Sequence, residues 1–210
     1  MLSKTFCVIS APLVLLAQLA RGVPVAPVAP FKGYSVVDIK WQLPIDPKDT
    51  TSKTVTVTGT IQEAIAKMEV THPGWNETFA STLDFTKKPG TSLSTSAERD
   101  HYVCWPNDGT MPAHDYGILT GVAYLRALTT AAPSNNPKSC GRVSCTEDSG
   151  IWWCNNNPDH DKVITWGDIA DSAEFVVNQC KDKSDMFSRS VKAWDFFKDE
   201  WSVAIHGDKC

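Results

Sequence analysis

Polar and apolar residues alternate in one short stretch of the chain and then recur at helical spacing. Residues 54–58 have the sequence Thr-Val-Thr-Val-Thr, and this alternation of β-branched side chains predicts a strand with one buried face. The apolar residues that follow have helical spacing: Ile61, Ala64, Ile65 and Met68. Thr60 and Glu63 form a capping box, so we predict a helix that begins here and ends before Pro73.

Four further strands are predicted in the second half of the chain. Residues 101–105 precede the turn sequence Pro-Asn-Asp-Gly. Residues 141–145 and 151–154 form two short β-prone runs, separated by a turn-prone Asp-Ser-Gly. Residues 201–205 give the last predicted strand.

Two further helices are predicted from apolar spacing. Residues 111–129 place one stripe on a common helical face: Ile118, Val122 and Leu125. The clearest helix of the chain carries a longer stripe: Ile169, Ala173, Val176, Val177 and Cys180. Thr165 and Asp168 have the spacing of an N-terminal cap for this helix.

The predicted order is strand, helix, strand, helix, two strands, helix, strand. This order predicts an α+β fold, a disulfide-braced α/β sandwich whose small antiparallel or mixed sheet carries about three helices on one face. Residues 54–210 would form this single cysteine-rich domain. Residues 23–53 contain Pro24, Pro27 and Pro30, a spacing that predicts a flexible N-terminal arm, a propeptide or a linker.

The first 22 residues have the pattern of a signal peptide. Lys4 precedes an apolar stretch at residues 6–20, and the small residues Ala20 and Gly22 suit a cleavage site. The alternative is a membrane anchor, but the stretch is shorter than the roughly 20 residues that a spanning helix needs. We therefore predict secretion and no membrane span. The formal net charge of −4 disfavours nucleic acid as a partner, because such binding requires clustered cations.

Cysteine usage supports an oxidising compartment. Cys7 lies in the leader, and an even set remains after its removal: Cys104, Cys140, Cys145, Cys154, Cys180 and Cys210. Such a set predicts three disulfides, although the sequence alone does not choose among the possible pairings. The preferred set is Cys104–Cys210, Cys140–Cys154 and Cys145–Cys180. Zinc binding is disfavoured because no second closely spaced pair accompanies Cys140 and Cys145, and full pairing would leave no thiol for catalysis.

Trp152 and Trp153 are neighbours in a predicted strand, so their rings should point to opposite faces of the sheet. One ring would lie in the core, and the other would be half exposed and suited to contact a partner. The alternative is that helix and loop cover both rings.

A resemblance to known proteins is carried by three segments: residues 139–145 with two cysteines, residues 151–157 with Trp-Trp-Cys-Asn-Asn-Asn, and residues 168–180. This pattern resembles the small cysteine-rich secreted effector proteins of filamentous fungi, which are similar to fungal killer toxins in their α/β-sandwich fold. The resemblance implies secretion, a fungal source and, for several such proteins, delivery to a plant host. The resemblance includes no active-site motif, and proteins of such groups differ in function.

Candidate chemistry is sparse. His101 and His206 are the best pair for a secreted nuclease, yet no supporting motif accompanies them, so no catalytic residue is predicted. Residues 159–161, Asp-His-Asp, would be a solvated loop rather than a weak metal site. Asn76 begins the single N-glycosylation sequon, which we predict to lie in a surface loop.

These patterns favour a binding protein over an enzyme. The leading hypothesis is a fungal effector that binds a host extracellular protein, most concretely as an inhibitor of plant papain-like cysteine proteases in the apoplast, with a rigid loop in the active-site cleft. We expect a monomer without cofactor or metal. The predicted contact residues are Trp152, Trp153, Asn155, Asn156, Asn157, Asp159, His160 and Asp161. The alternatives are a killer-toxin-like antimicrobial protein and a secreted hydrolase or nuclease.

Overall fold

A computed structural model describes residues 27–49, 51–83, 97–128, 134–182 and 189–210. The helices among these residues are α1 (Ile61–Thr71), α2 (Trp75–Ala80), α3 (Asp115–Ala127) and α4 (Trp166–Cys180). The strands are β1 (Ser35–Val37), β2 (Lys40–Pro44), β3 (Thr54–Thr58), β4 (Arg99–Cys104), β5 (Ala113–His114), β6 (Ser139–Thr146), β7 (Ser149–Asn155), β8 (Ser190–Val191), β9 (Ala193–Phe197) and β10 (Trp201–Gly207).

The largest sheet has six strands in the order β1-β6-β7-β10-β9-β4. β1 pairs parallel with β6, and the other neighbours pair antiparallel, so the sheet is mixed. β2 with β3 and β5 with β8 form two small sheets. The predicted α+β class, with a mixed sheet and disulfide bracing, is confirmed.

Three helices pack on one face of the large sheet. α1 and α3 contact β6, α3 also contacts β7, and α4 contacts β4, β9 and β10. Gly121 allows α3 to approach closely, because a Cβ there would lie 2.3 Å from the Ser144 hydroxyl oxygen. α2 packs against α1. The opposite face, hereafter the outer face, buries a smaller cluster made of Cys140, Trp152, Cys154 and Ala204.

The structure differs from the predicted flexible arm at residues 23–53. Within this stretch, Ile39, Trp41 and Leu43 are buried in the main core, because their alternation with polar residues suits β2, which pairs with β3. The Trp41 ring stacks on Trp166 with centroids 4.4 Å apart. Phe31 packs on the outer face against Trp194. The folded domain therefore includes these residues, while residues 23–26 and the leader lie outside the described residues.

Several boundaries also differ from the predictions. α3 begins at Asp115 rather than at residue 111, because Ala113 and His114 pair with β8. β6 and β7 are longer than predicted and meet at Glu147 and Asp148, which both have positive φ (50° and 49°), as a tight hairpin turn requires. The last residue of the predicted helix 111–129 lies outside the described residues. The sequence patterns missed α2 and five strands, β1, β2, β5, β8 and β9.

The disulfides are Cys104–Cys180, Cys140–Cys154 and Cys145–Cys210. The predicted Cys140–Cys154 bond is confirmed, and it joins facing residues of β6 and β7. The predicted bonds Cys104–Cys210 and Cys145–Cys180 are wrong. The segment after β10 turns toward β6, because the Asp208 N–H donates to the Asp148 carbonyl at 2.9 Å and the Arg142 guanidinium donates to the Lys209 carbonyl at 2.9 Å. Cys210 therefore reaches Cys145, and Cys104 pairs with the end of α4.

No helix among the described residues has the length and apolar character needed to cross a membrane.

Candidate functional site

Both tryptophans of the predicted contact pair are fully buried. Trp153 belongs to the main core, and Trp152 belongs to the outer-face cluster. The Trp152 indole N–H donates to the Asp208 carboxylate at 3.1 Å. The rings do point to opposite faces, but each face is covered. Neither ring contributes to the surface, so the alternative in which both rings are covered is the correct one, and neither tryptophan is an exposed contact residue.

Asn155 is also buried, with 0% exposure, so its predicted role as a contact residue is not possible in this conformation. Its side-chain amide instead organises the loop that follows β7. Nδ2 donates to the carbonyl oxygens of Asn135 (2.9 Å) and His160 (2.8 Å). Oδ1 accepts a hydrogen bond from the Asn157 N–H at 2.9 Å. Asn155 is therefore a positioning residue for the segment 156–161, hereafter the 156–161 loop.

Asn157 is the second internal support of the 156–161 loop. Its Oδ1 accepts from the backbone N–H groups of Asp159 (2.8 Å) and His160 (2.7 Å). Its Nδ2 donates to the Glu200 carboxylate, and its carbonyl oxygen accepts from the Lys138 N–H at 3.1 Å. These bonds hold the turn at the tip of the loop in one shape.

Asn156 connects the 156–161 loop to the sheet. Its N–H donates to the Glu200 carbonyl at 2.8 Å. Its Oδ1 accepts from the Ser202 hydroxyl at 3.0 Å and from the Tyr34 hydroxyl at 3.3 Å. The tyrosine comes from the segment just before β1, so the N-terminal part of the domain also supports the loop.

The far end of the 156–161 loop is fixed by Lys162. Its backbone forms a bridge with Asn135, with N–O distances of 2.9 and 3.0 Å. Its ammonium group forms an ion pair with the Asp199 carboxylate at 3.1 Å. Both ends of the loop are thus tied to neighbouring segments.

The tip of the 156–161 loop is exposed. Pro158, Asp159, His160 and Asp161 are all exposed, whereas Asn156 and Asn157 are half-buried. No described residue forms an ion pair with the carboxylate of Asp159 or Asp161. The loop therefore combines a fixed backbone with side chains that are free to contact a partner. Among the described residues, no group of three or more His, Cys, Asp or Glu side chains is arranged to hold a metal ion.

His101 and His206 are not brought together. His101 is exposed on the edge strand β4, where it contacts Asp100 and stacks on Phe196 with centroids 4.6 Å apart. His206 is buried near the end of β10 and packs beside Trp152. β9 lies between the two strands, and the two histidines are also offset along them. They cannot act on one reacting atom.

Asn76 lies in the first turn of α2 rather than in the predicted loop, and it is exposed. Its backbone N–H donates to the Glu69 carboxylate at 2.7 Å, which leaves the side-chain amide accessible. The sequon is thus on the surface, as predicted, but in a helix.

The sequence analysis missed the residues that support the 156–161 loop from a distance: Tyr34, Asn135, Lys138, Lys162, Asp199 and Glu200. The run Asn-Asn-Asn-Pro at 155–158 does carry a local signal, because asparagine side chains commonly bond to backbone groups in turns. It indicates an ordered turn but not its partners.

No protein-family model, curated protein or solved structure matches this chain. Its function is therefore inferred from its own residues.

Proposed function

We propose that this chain is a secreted, disulfide-braced binding protein that presents the 156–161 loop to an extracellular protein of a host. The observation that carries the proposal is the fixed backbone of this loop. Asn155 and Asn157 hold it from inside, and Asn156 and Lys162 tie it to the sheet and to Asn135. A loop that is ordered before binding loses little conformational entropy on docking.

The disulfides extend this rigidity to the scaffold. Cys140–Cys154 joins β6 to β7, and β7 leads directly into the 156–161 loop. Three disulfides suit an oxidising compartment, and the pattern of the first 22 residues supports export. Both features support an extracellular site of action.

The most concrete form of this proposal is a fungal effector that inhibits a papain-like cysteine protease in the plant apoplast. Its support is the resemblance of residues 139–180 to secreted fungal effectors, together with the exposed tip of the loop. In this mechanism the residues 158–161 enter the protease cleft and exclude the substrate. Pro158 restricts the backbone at the tip, which favours binding as a fixed shape.

Residual protease activity tests the proposal. A panel of secreted plant cysteine and serine proteases is titrated with the oxidised protein, and we expect selective loss of cysteine-protease activity near a stoichiometric ratio. The triple variant Asp159→Ala/His160→Ala/Asp161→Ala should inhibit at least tenfold less well. The control Asn178→Ala/Gln179→Ala changes two exposed residues at the other end of α4 and should inhibit like the unmodified protein.

The outcomes test the inhibitory mechanism and the location of the contact surface separately. If no protease in the panel is inhibited, the inhibitor mechanism is rejected. If the triple variant inhibits as well as the unmodified protein, the 156–161 loop is not the contact surface.

A further inference from the structure

Trp105 has a backbone conformation that a bulky side chain rarely adopts. Its φ is 53°, in the left-handed region that favours glycine. Such conformations concentrate at ligand-binding and other functional sites, where the surrounding structure maintains them. The backbone conformation of Trp105 therefore directs the search for a functional site to this residue.

The unusual φ determines which side of the sheet the Trp105 ring occupies. In β4, Tyr102 and Cys104 point toward α4, where they contact Phe175 and Cys180. A regular continuation of the strand would point residue 105 to the opposite face. Instead, the Trp105 indole N–H donates to the Cys180 carbonyl at 3.0 Å, so the ring lies on the α4 side.

The result is a ridge of aromatic groups along the edge of the sheet, hereafter the aromatic ridge: Tyr102, Phe175, the Cys104–Cys180 disulfide and Trp105. The rings of Tyr102 and Phe175 are nearly perpendicular (85°), with centroids 5.4 Å apart. Tyr102 is 43% exposed and Trp105 is 41% exposed. Tyr102 and Trp105 are three positions apart in the chain, so their Cα atoms lie within roughly 11 Å of each other.

Contacts with α4 and with Lys192 hold the aromatic ridge in place. The disulfide fixes the end of β4 to α4, and the Trp105 backbone N–H donates to the Lys192 carbonyl at 2.8 Å. The Arg99 guanidinium lies 3.5 Å from the centre of the Phe175 ring. Two exposed rings are thus presented at fixed positions, which lowers the entropy lost on binding.

Several charged groups near the aromatic ridge are paired within the part of the chain that the structure describes. The pairs are Arg99 with Asp195, Lys181 with Asp115 and Lys192 with Asp108. A charged ligand would have to compete with these contacts. The ridge is therefore suited to a neutral ligand with flat apolar faces.

We propose that the aromatic ridge binds a neutral β-linked oligosaccharide. The C–H groups on the face of a pyranose ring are weakly positive, and an aromatic ring offers them a negative π face. In an extended β-1,4-linked chain the pyranose chairs repeat along one direction and present their broad C–H faces, so two sugar rings can contact Tyr102 and Trp105 together. This site is distinct from the 156–161 loop and does not depend on the proposed protease target.

Calorimetric titration of the secreted protein tests this site. The probes are the neutral β-1,4-linked hexasaccharides cellohexaose and chitohexaose, with α-linked maltohexaose and anionic oligogalacturonate as ligand controls. The main variant is Trp105→Gly, because glycine suits the positive φ and the fold should be retained. Tyr102→Ala removes the second ring. The control Tyr116→Ala removes an exposed tyrosine of α3 that lies outside the ridge.

We expect binding of at least one β-linked hexasaccharide, at least a tenfold loss of affinity in Trp105→Gly, a smaller loss in Tyr102→Ala and none in Tyr116→Ala. Protease inhibition by Trp105→Gly should be unchanged, which separates this site from the loop. The proposal is overturned if no β-linked probe binds, if oligogalacturonate binds more tightly than all of them, or if Trp105→Gly binds like the unmodified protein.

Discussion

Arg99 and Asp195 form an ion pair with two parallel contacts between neighbouring strands of the sheet. Arg99 Nε lies 2.7 Å from Asp195 Oδ1, and its NH2 group lies 3.0 Å from Oδ2. The Asp195 side chain is fully buried, and the Ser172 hydroxyl of α4 donates to it at 2.7 Å. This pair connects β4, β9 and α4 beneath the aromatic ridge.

Removing the cation of this pair should destabilise the fold. Arg99→Met keeps much of the side-chain packing on Phe175 but leaves a buried carboxyl group without its partner, which typically costs about 3–5 kcal/mol. Urea unfolding measures the change. The control Lys198→Met breaks an exposed pair with Glu98 and should change stability little. A similar small effect for Arg99→Met would show that the buried pair contributes no more than a surface one.

The buried carboxyl group also predicts a pH dependence. Burial raises the pKa of Asp195, and although hydrogen bonds from Arg99 and Ser172 lower it, the pKa lies above the ordinary value. The stability that this group contributes is therefore fully present below its unfolded-state pKa of 3.8 and is lost as pH rises through the folded-state pKa. Relative to Asp195→Asn, the unmodified protein should lose unfolding free energy as pH rises from 3 to 7, which urea unfolding at several pH values measures.

Asp108 provides a control of opposite sign. Burial raises the pKa of Asp108, but hydrogen bonds from Thr110 and Lys192 outweigh burial and hold the pKa below its ordinary value. Relative to Asp108→Asn, the unmodified protein should therefore gain unfolding free energy as pH rises through the folded-state pKa. Urea unfolding measures both comparisons. If the unfolding free energy changes with pH in the same direction for both, the raised pKa of Asp195 is contradicted.

Asn155 should be essential for the shape of the 156–161 loop. Asn155→Ala removes hydrogen bonds to Asn135, His160 and Asn157 and leaves buried polar groups unpaired, at about 1–3 kcal/mol. We expect lower stability in urea and faster hydrogen exchange at residues 156–161. Asn178→Ala, at an exposed position of α4, should leave both unchanged. Normal exchange in Asn155→Ala would mean that the other contacts suffice to order the loop.

The disulfide pairing can be tested directly. Mass spectrometry of a digest of the oxidised protein should find peptides that join Cys104 to Cys180 and Cys145 to Cys210. The double variant Cys104→Ser/Cys180→Ser should lower stability by about 2–5 kcal/mol, since a disulfide restricts the unfolded chain. A peptide that joins Cys104 to Cys210 would contradict the arrangement of β4, β9 and β10.

Secretion predicts a glycan on Asn76. The exposed side chain should be modified during export from a eukaryotic cell, so a peptide N-glycosidase should increase the electrophoretic mobility of the secreted protein. Asn76→Gln should migrate at the deglycosylated position without treatment. If the enzyme changes nothing, either the sequon is unused or the chain does not pass through the secretory pathway, and the presence of the protein in the culture medium separates the two.

Local patterns predicted the elements whose signals lie within one segment. The capping boxes of α1 (Thr60 and Glu63) and α4 (Thr165 and Asp168) are confirmed, because a cap is formed by residues close in sequence. β9 was missed because a buried Asp195 interrupts its apolar pattern, and the partner that makes this burial possible is Arg99, far away in sequence.

For the 156–161 loop, too, the sequence predicted the local features and missed the contacts with distant residues. Its position after β7 and its exposed tip were predicted from composition and turn residues. The burial of Asn155 was not, because it depends on the carbonyl group of Asn135 and on Ser139 and Trp201, the facing residues of β6 and β10. Likewise, no local pattern indicates that Trp152 is covered by Asp208.

The position of β10 in the sheet has a consequence for the timing of folding. β10 follows all other described strands in sequence, yet it lies between β7 and β9 and joins them. Until β10 has left the ribosome, the three strands β1, β6 and β7 and the two strands β4 and β9 form separate parts of the sheet, and β7 and β9 each have an exposed edge. The sheet can therefore close only when synthesis is almost finished, and a chain that stops before residue 201 should remain prone to aggregation.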